Sequence, residues 1–114
     1  MRRSAAQATR EPLREPGTSP EDRILTRHPR GKQGVRITRV RYEDMARALL
    51  RVIPRRAEGV PFAELAERVG PVVKADLWEG ASLKWYVVVV KQDLEARGRI
   101  EQVPGLRPQH LRRV

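Results

Sequence analysis

The chain has 114 residues, of which 39% are hydrophobic and only 4% aromatic, and its 24 Lys and Arg against 14 Asp and Glu give a formal charge of +10. That length fits one domain around a small aliphatic core, and the absence of cysteine excludes a disulfide scaffold, thiolate metal sites and thiol catalysis. No apolar run approaches the roughly 20 residues that span a bilayer, and no hydrophobic stretch follows Met1-Arg2-Arg3-Ser4 as a secretory signal requires, so a basic, cytoplasmic protein is expected.

Residues 1–34 hold Pro12, Pro16, Pro20 and Pro29 with Gly17, Gly31 and Gly34. Their apolar residues larger than Ala are Met1, Leu13, Ile24 and Leu25. That is too little apolar surface to offset ordering entropy, so a flexible basic tail is expected over 1–34. Residues 1–36 carry nine basic and four acidic residues (+5), and residues 37–114 carry fifteen and ten (+5). Both parts contribute equally to the positive field.

Order is expected to begin near Thr38, a competent N-cap, with Ile37 and Tyr42 at the positions of a hydrophobic staple. Tyr42, Met45, Ala46, Leu49 and Ile53 recur at helical spacing, which predicts a helix over 39–53 stopped by Pro54. A competing reading makes Val35 to Val40 a strand. Val60-Pro61-Phe62 reads as a short extended segment. Phe62, Leu65, Ala66 and Val69 then form a second helical stripe, ended by Gly70-Pro71. Within 71–81 a single helical turn fits.

The stretch from Leu83 to Gly98 is the most informative. Val87-Val88-Val89-Val90 favours a strand by propensity. Yet Leu83, Val87, Val90 and Leu94 share one helical face, Ser82 can cap the start, and Gly98 can supply a left-handed residue at the end. Spacing and both caps agree, so a third helix is predicted. Ile100 and Val103, Pro104-Gly105, and Gln109 to Val114 then read as two strands around a turn, with Leu111 inward.

Three helices and a two-stranded hairpin, in that order, resemble the winged helix-turn-helix superfamily over residues 37–114. The phrase Leu94-Glu-Ala-Arg-Gly98 followed by Arg99-Ile100-Glu101 is similar to the passage from third helix to wing in many of its regulators. The segments His28-Pro-Arg-Gly-Lys32 and Ser82-Leu-Lys-Trp-Tyr86 resemble those of a family of short uncharacterised bacterial proteins. The resemblance implies a mostly α fold with a small β-hairpin. About a dozen residues, Gly70 to Ala81, replace the usual turn of 3–4 residues between the second and third helices.

In such a domain the third helix presents its N-terminal side chains to base edges. That would place Ser82, Lys84 and Trp85 in the groove, with Lys91 further along; the bland reading makes both lysines solvated flanks of a valine core. Tyr86 lies beside the apolar face and Trp85 away from it, so Trp85 suits stacking or an interface. On the wing, Arg107, Gln109, His110, Arg112 and Arg113 accompany no acid, which suits phosphate or a narrow minor groove. A charged edge strand that resists aggregation is the alternative. Arg30 and Lys32, in the run Arg27-His28-Pro-Arg-Gly-Lys32, could serve as a groove-following arm or a plain linker.

No nucleophile motif involves His28 or His110, and no phosphate-binding glycine loop is present, so no enzyme and no cofactor or metal are expected. Asp93 and Glu95 point to different faces, and Asp76 and Glu79 lack further ligands. The expected function is nucleic-acid binding, duplex DNA before RNA, for regulation or architecture. The rival is a docking or homodimerisation module built on the same scaffold.

Overall fold

Two isoleucines tie the first described strands to the core. The computed structural model describes residues 22–114, so residues 1–21 of the expected tail lie outside the described residues. Residues 22–34 correct that expectation. Arg23–Leu25 (β1) pairs antiparallel with Arg36–Thr38 (β2), with Ile24 opposite Ile37. Ile37 is buried and Ile24 packs against the core, so this short hairpin borrows apolar surface from the helices rather than supplying its own. Its loop closes on itself: Thr26 N–H donates to the Val35 carbonyl at 2.8 Å, and Val35 N–H donates to Thr26 Oγ1 at 3.0 Å. A Cβ on Gly34 would stand 1.8 Å from the Thr26 carbonyl oxygen, so only glycine permits the two arms this close.

Both readings of the next segment hold in part. β2 ends at Thr38, and the first helix, α1, runs Arg39–Val52. Thr38 does occupy the N-cap position, but its hydroxyl makes no cap bond. Strand pairing with Arg23 turns that side chain inward, and its Oγ1 is buried without a partner among the described residues. Val60–Pro61 (β3) and one 3-10 turn, Phe62–Glu64, lead into a short α2, Leu65–Val69. The helical turn expected within 71–81 is α3, Ala75–Trp78.

The four valines lie in a helix. α4 spans Leu83–Ala96, with Val87, Val90 and Leu94 buried on the face read from their spacing. Ser82 Oγ accepts from Trp85 N–H at 3.3 Å, and Gly98 takes φ +76° beyond the C-terminus. Replacing Ser82 by Ala leaves that amide uncapped and lowers stability by about 1 kcal/mol, read as a fall in the urea midpoint at constant m.

Ile100–Gln102 (β4) and His110–Arg113 (β5) form the expected hairpin. The sheet has a third member, because β3 pairs with β5 through Val60 and Leu111, giving the order β3-β5-β4. Leu111 is fully buried at its centre, as read from the sequence. Met45, Leu49 and Ile53 of the first helical stripe meet Leu65, Val69, Val90 and Leu94 in one core. Among the described residues the architecture is mixed α+β: four helices and two small antiparallel sheets. Among the described residues no helix is long and apolar enough to cross a membrane.

Candidate nucleic-acid interface

The geometry of the candidate surface follows from the turn of α4, about 100° per residue. Lys91 and Glu95 come seven and eleven positions after Lys84, which returns them to within about 20° of its direction. Asp93 comes nine positions after Lys84 and lies half a turn away. Trp85 and Gln92 fall about a quarter turn from both, opposite the buried Val87, Val90 and Leu94. α4 therefore has an outer face, a Lys84 flank and an Asp93 flank.

Lys84 is exposed and has no hydrogen bond or ion pair among the described residues. Trp85, 46% exposed, stands on the outer face beside it. Phe62, Ala63 and Ala66 face Lys84, Val87 and Val88 across a shallow apolar groove of about 270 Å³. Ser82 is exposed too, but its oxygen is committed to the cap.

Lys91, read from the sequence as a nucleic-acid contact, is not the solvated surface residue of the alternative reading. It is only 5% exposed. Its ammonium donates to Glu95 Oε1 at 2.8 Å and to Gln109 Oε1 at 3.1 Å, and it stands over the Phe62 ring. Gln102 in turn donates to Glu95 Oε2 at 3.0 Å. A buried ammonium must be neutralised and hydrogen-bonded, so Lys91 fastens the wing to the Lys84 flank and is not available to a phosphate. Gln109 is spent in the same network.

Two wing arginines are also engaged. Arg112 donates to Glu101 at 2.6 Å and to the Ala57 carbonyl at 3.0 Å. Arg113 donates from Nε to the Ile53 carbonyl at 2.8 Å, closing the end of α1. The acid-free count along β5 misled because its acceptors come from β4 and from backbone distant in sequence. His110 is half-buried with Nδ1 bonded to the Pro108 carbonyl at 2.8 Å. Arg107, in the turn, is exposed and has no partner among the described residues. Of these three arginines, Arg112 alone is ion-paired, Arg113 is held by a carbonyl, and Arg107 makes no side-chain bond among the described residues.

The Asp93 flank carries the first hairpin. Asp93 is fully buried and accepts from Arg27 N–H at 2.8 Å, from Arg97 Nε at 2.8 Å and from the Tyr42 hydroxyl. Burial, reinforced by that bond to a carboxylate, pushes the Tyr42 phenol up to about 12. The separate bond from Arg97 Nε to Asp93 raises the Arg97 guanidinium above its already high value. Arg30 and Lys32 are exposed in the hairpin loop, whose shallow concavity of about 570 Å³ reaches Ala96 at the end of α4. They therefore sit with Arg27 at the far end of α4 from Lys84.

A second buried carboxylate explains the long connection between α2 and α4. Asp44 accepts from Trp78 Nε1 and Lys74 N–H, both at 2.9 Å, and from Arg47 at 2.6 Å. Burial opposes its ionisation, but the bonds from Trp78, Arg47 and the Lys74 amide outweigh it, and its carboxyl lies below the ordinary value. Trp78 also meets Tyr86 edge-on at 4.9 Å, with Arg41 over both rings. Sequence reading assigned no role to Asp44, Asp93 or Gln92, and placed Arg27 only within the basic run, not on a tether to α4. For the two acids the available signal was their place beside an apolar stripe. For the hairpin it was the absence of any acid between Asp22 and Glu43.

No curated protein and no solved structure matches the chain. The pattern of one family, described as a family of unknown function (DUF6958), matches residues 23–111. The match takes in β1 and β2 together with the helices and ends inside β5, so the first hairpin belongs to the same unit as the rest. The narrower of the two resemblances read from the sequence thus has its counterpart, and the chain belongs to this family of unknown function, DUF6958.

Proposed function

We propose that residues 37–114 are a winged helix-turn-helix domain that binds duplex DNA through the outer face of α4 and the adjoining wing. The observation that carries this reading is the uncommitted Lys84 on the flank of α4 to which the wing is fastened. Arg107 in the wing turn supplies a second free cation for a phosphate. Gln92 on the outer face has the donor–acceptor pair that reads an adenine edge. Binding proceeds by counterion release, with few base contacts.

The expected result is duplex binding whose logarithmic affinity falls linearly with the logarithm of salt concentration. Lys84→Gln should weaken binding across sequences and reduce that slope by about 1. No binding at low salt, or an affinity indifferent to salt, removes the reading. The exposed Trp85 and Val88 favour a second one, a homodimer face. A mass that doubles in the absence of DNA and reverts in Trp85→Ala would establish that alternative.

A further inference from the structure

The charge that the folded chain leaves unbalanced is not spread evenly. Arg47, Arg56, Arg68, Lys91, Arg97 and Arg112 each pair with a carboxylate. Other cations without an ion pair among the described residues, such as Arg51, Arg55, Lys84, Arg99 and Arg107, lie apart on different elements. The first hairpin instead gathers Arg23, Arg27, Arg30, Lys32 and Arg36 in one segment, none of them ion-paired among the described residues and all but Arg23 exposed. A surface that only needed solubility would mix both signs.

The hairpin also differs from a slack basic arm. Its loop is closed by the Thr26–Val35 bonds and by Gly31 N–H to the His28 carbonyl at 2.9 Å. Its base is pinned to α4 by Arg27 N–H on the buried Asp93. Folding has therefore already met the entropy of ordering the backbone that carries these cations, which strengthens binding to an extended anion. The cradle that Arg27 and Lys32 line is wide and shallow, which fits a polymer backbone better than an enclosed small molecule.

Placement gives the partner. The wing is bonded to α4 through Lys91 and Glu95, on the Lys84 flank, and the first hairpin through Asp93, on the opposite flank. The outer face with Trp85 and Gln92 lies between them. We propose that the β1–β2 hairpin is a second phosphate-binding element. It grips the backbone on the other side of the groove that α4 enters, so two β-hairpins straddle one duplex. This inference rests on the DNA reading of α4 given above.

The test compares wild type, Lys84→Gln, and a triple variant with Arg27, Arg30 and Lys32 each changed to Gln, all as the full chain on one duplex. The three side chains form no hydrogen bond or ion pair among the described residues, and a double variant, Arg27→Lys with Arg30→Lys, controls for packing. If the hairpin takes three phosphates, the Gln variant loses about 2.7 from the salt slope, so that raising salt from 50 to 200 mM weakens wild type about 40-fold more than this variant. The Lys control keeps the wild-type slope. A triple Gln variant with an unchanged slope, while Lys84→Gln lowers its own, overturns the hairpin proposal and leaves the α4 reading intact. Two duplexes bound per chain also overturn it, because the hairpin then serves a separate molecule. A wild type that binds no duplex overturns both.

Discussion

Asp93→Ala should lower the unfolding free energy by about 3 kcal/mol, the low end of the range for removing one partner of a buried ion pair. Three donors converge on this fully buried carboxylate: the Arg27 amide, the Arg97 guanidinium and the Tyr42 hydroxyl. Taking it away leaves all three without an acceptor. Arg97 keeps 28% of its side chain in solvent and can rehydrate, which holds the loss to the low end. Domains are stable by about 5–15 kcal/mol, so the variant is folded but visibly weakened. The damage should be local as well as global. The amides of Arg27, Thr26 and Val35 should lose hydrogen-exchange protection first, because the hairpin is then held mainly by Ile24 and Ile37. Asp93→Asn retains a carbonyl oxygen and should lose less. A loss below 1 kcal/mol in the alanine variant, or an Arg27 amide as slow as in wild type, would show that Asp93 does not tether the hairpin.

That tether marks the boundary of what could be read from sequence. The helices at 39 and 83 were legible because their apolar periodicity, Ser82 and Pro54 act within a few residues of one another. The choice of helix over strand for four consecutive valines rested on the same local agreement. The strand pair β1–β2 was not legible. Each arm has one isoleucine facing inward, and the surface that rewards their burial comes from helices later in the chain. The third strand of the larger sheet was missed for a like reason, since Val60 finds Leu111 fifty-one residues away.

The candidate site divides along the same line. The exposure of Lys84 and Trp85 was legible because a capped helix fixes which side chains its first turn exposes. The bonds of Lys91, Arg112 and Arg113 were not, because a charge in the sequence says nothing about the acceptor it will meet. Glu95 is one turn from Lys91, but Gln109 reaches it only once the wing has folded back. The acceptors of Arg113 and, in part, of Arg112 are carbonyls, which composition cannot reveal. Free cations are what counterion release requires, so the proposed interface is centred on Lys84, Arg107 and the first hairpin rather than on β5.

Asp44→Ala should cost about as much as Asp93→Ala, and the acid limb of the stability curve identifies the cause. The carboxylate holds Trp78 Nε1, the Lys74 amide and Arg47, and so fixes α3 between α2 and α4. Leaving a buried indole N–H and a backbone N–H unsatisfied costs about 1–3 kcal/mol each. Because the folded state holds the Asp44 carboxyl below its ordinary value of 3.8, the unfolded chain takes up this proton first as the pH falls. The contribution of ionised Asp44 is therefore complete above about pH 5 and is lost as the pH descends through its folded-state value. Urea midpoints measured from pH 6 down to pH 2 should fall for wild type across that window. In Asp44→Asn, which keeps an acceptor oxygen but no titrating proton, this part of the fall should vanish, so the two curves converge in acid. Parallel curves over the whole range would mean that Asp44 is not the ionised anchor of α3. Convergence would mean that acid removes the charge-assisted part of the Asp44 contacts, the part that Asp44→Asn has already lost.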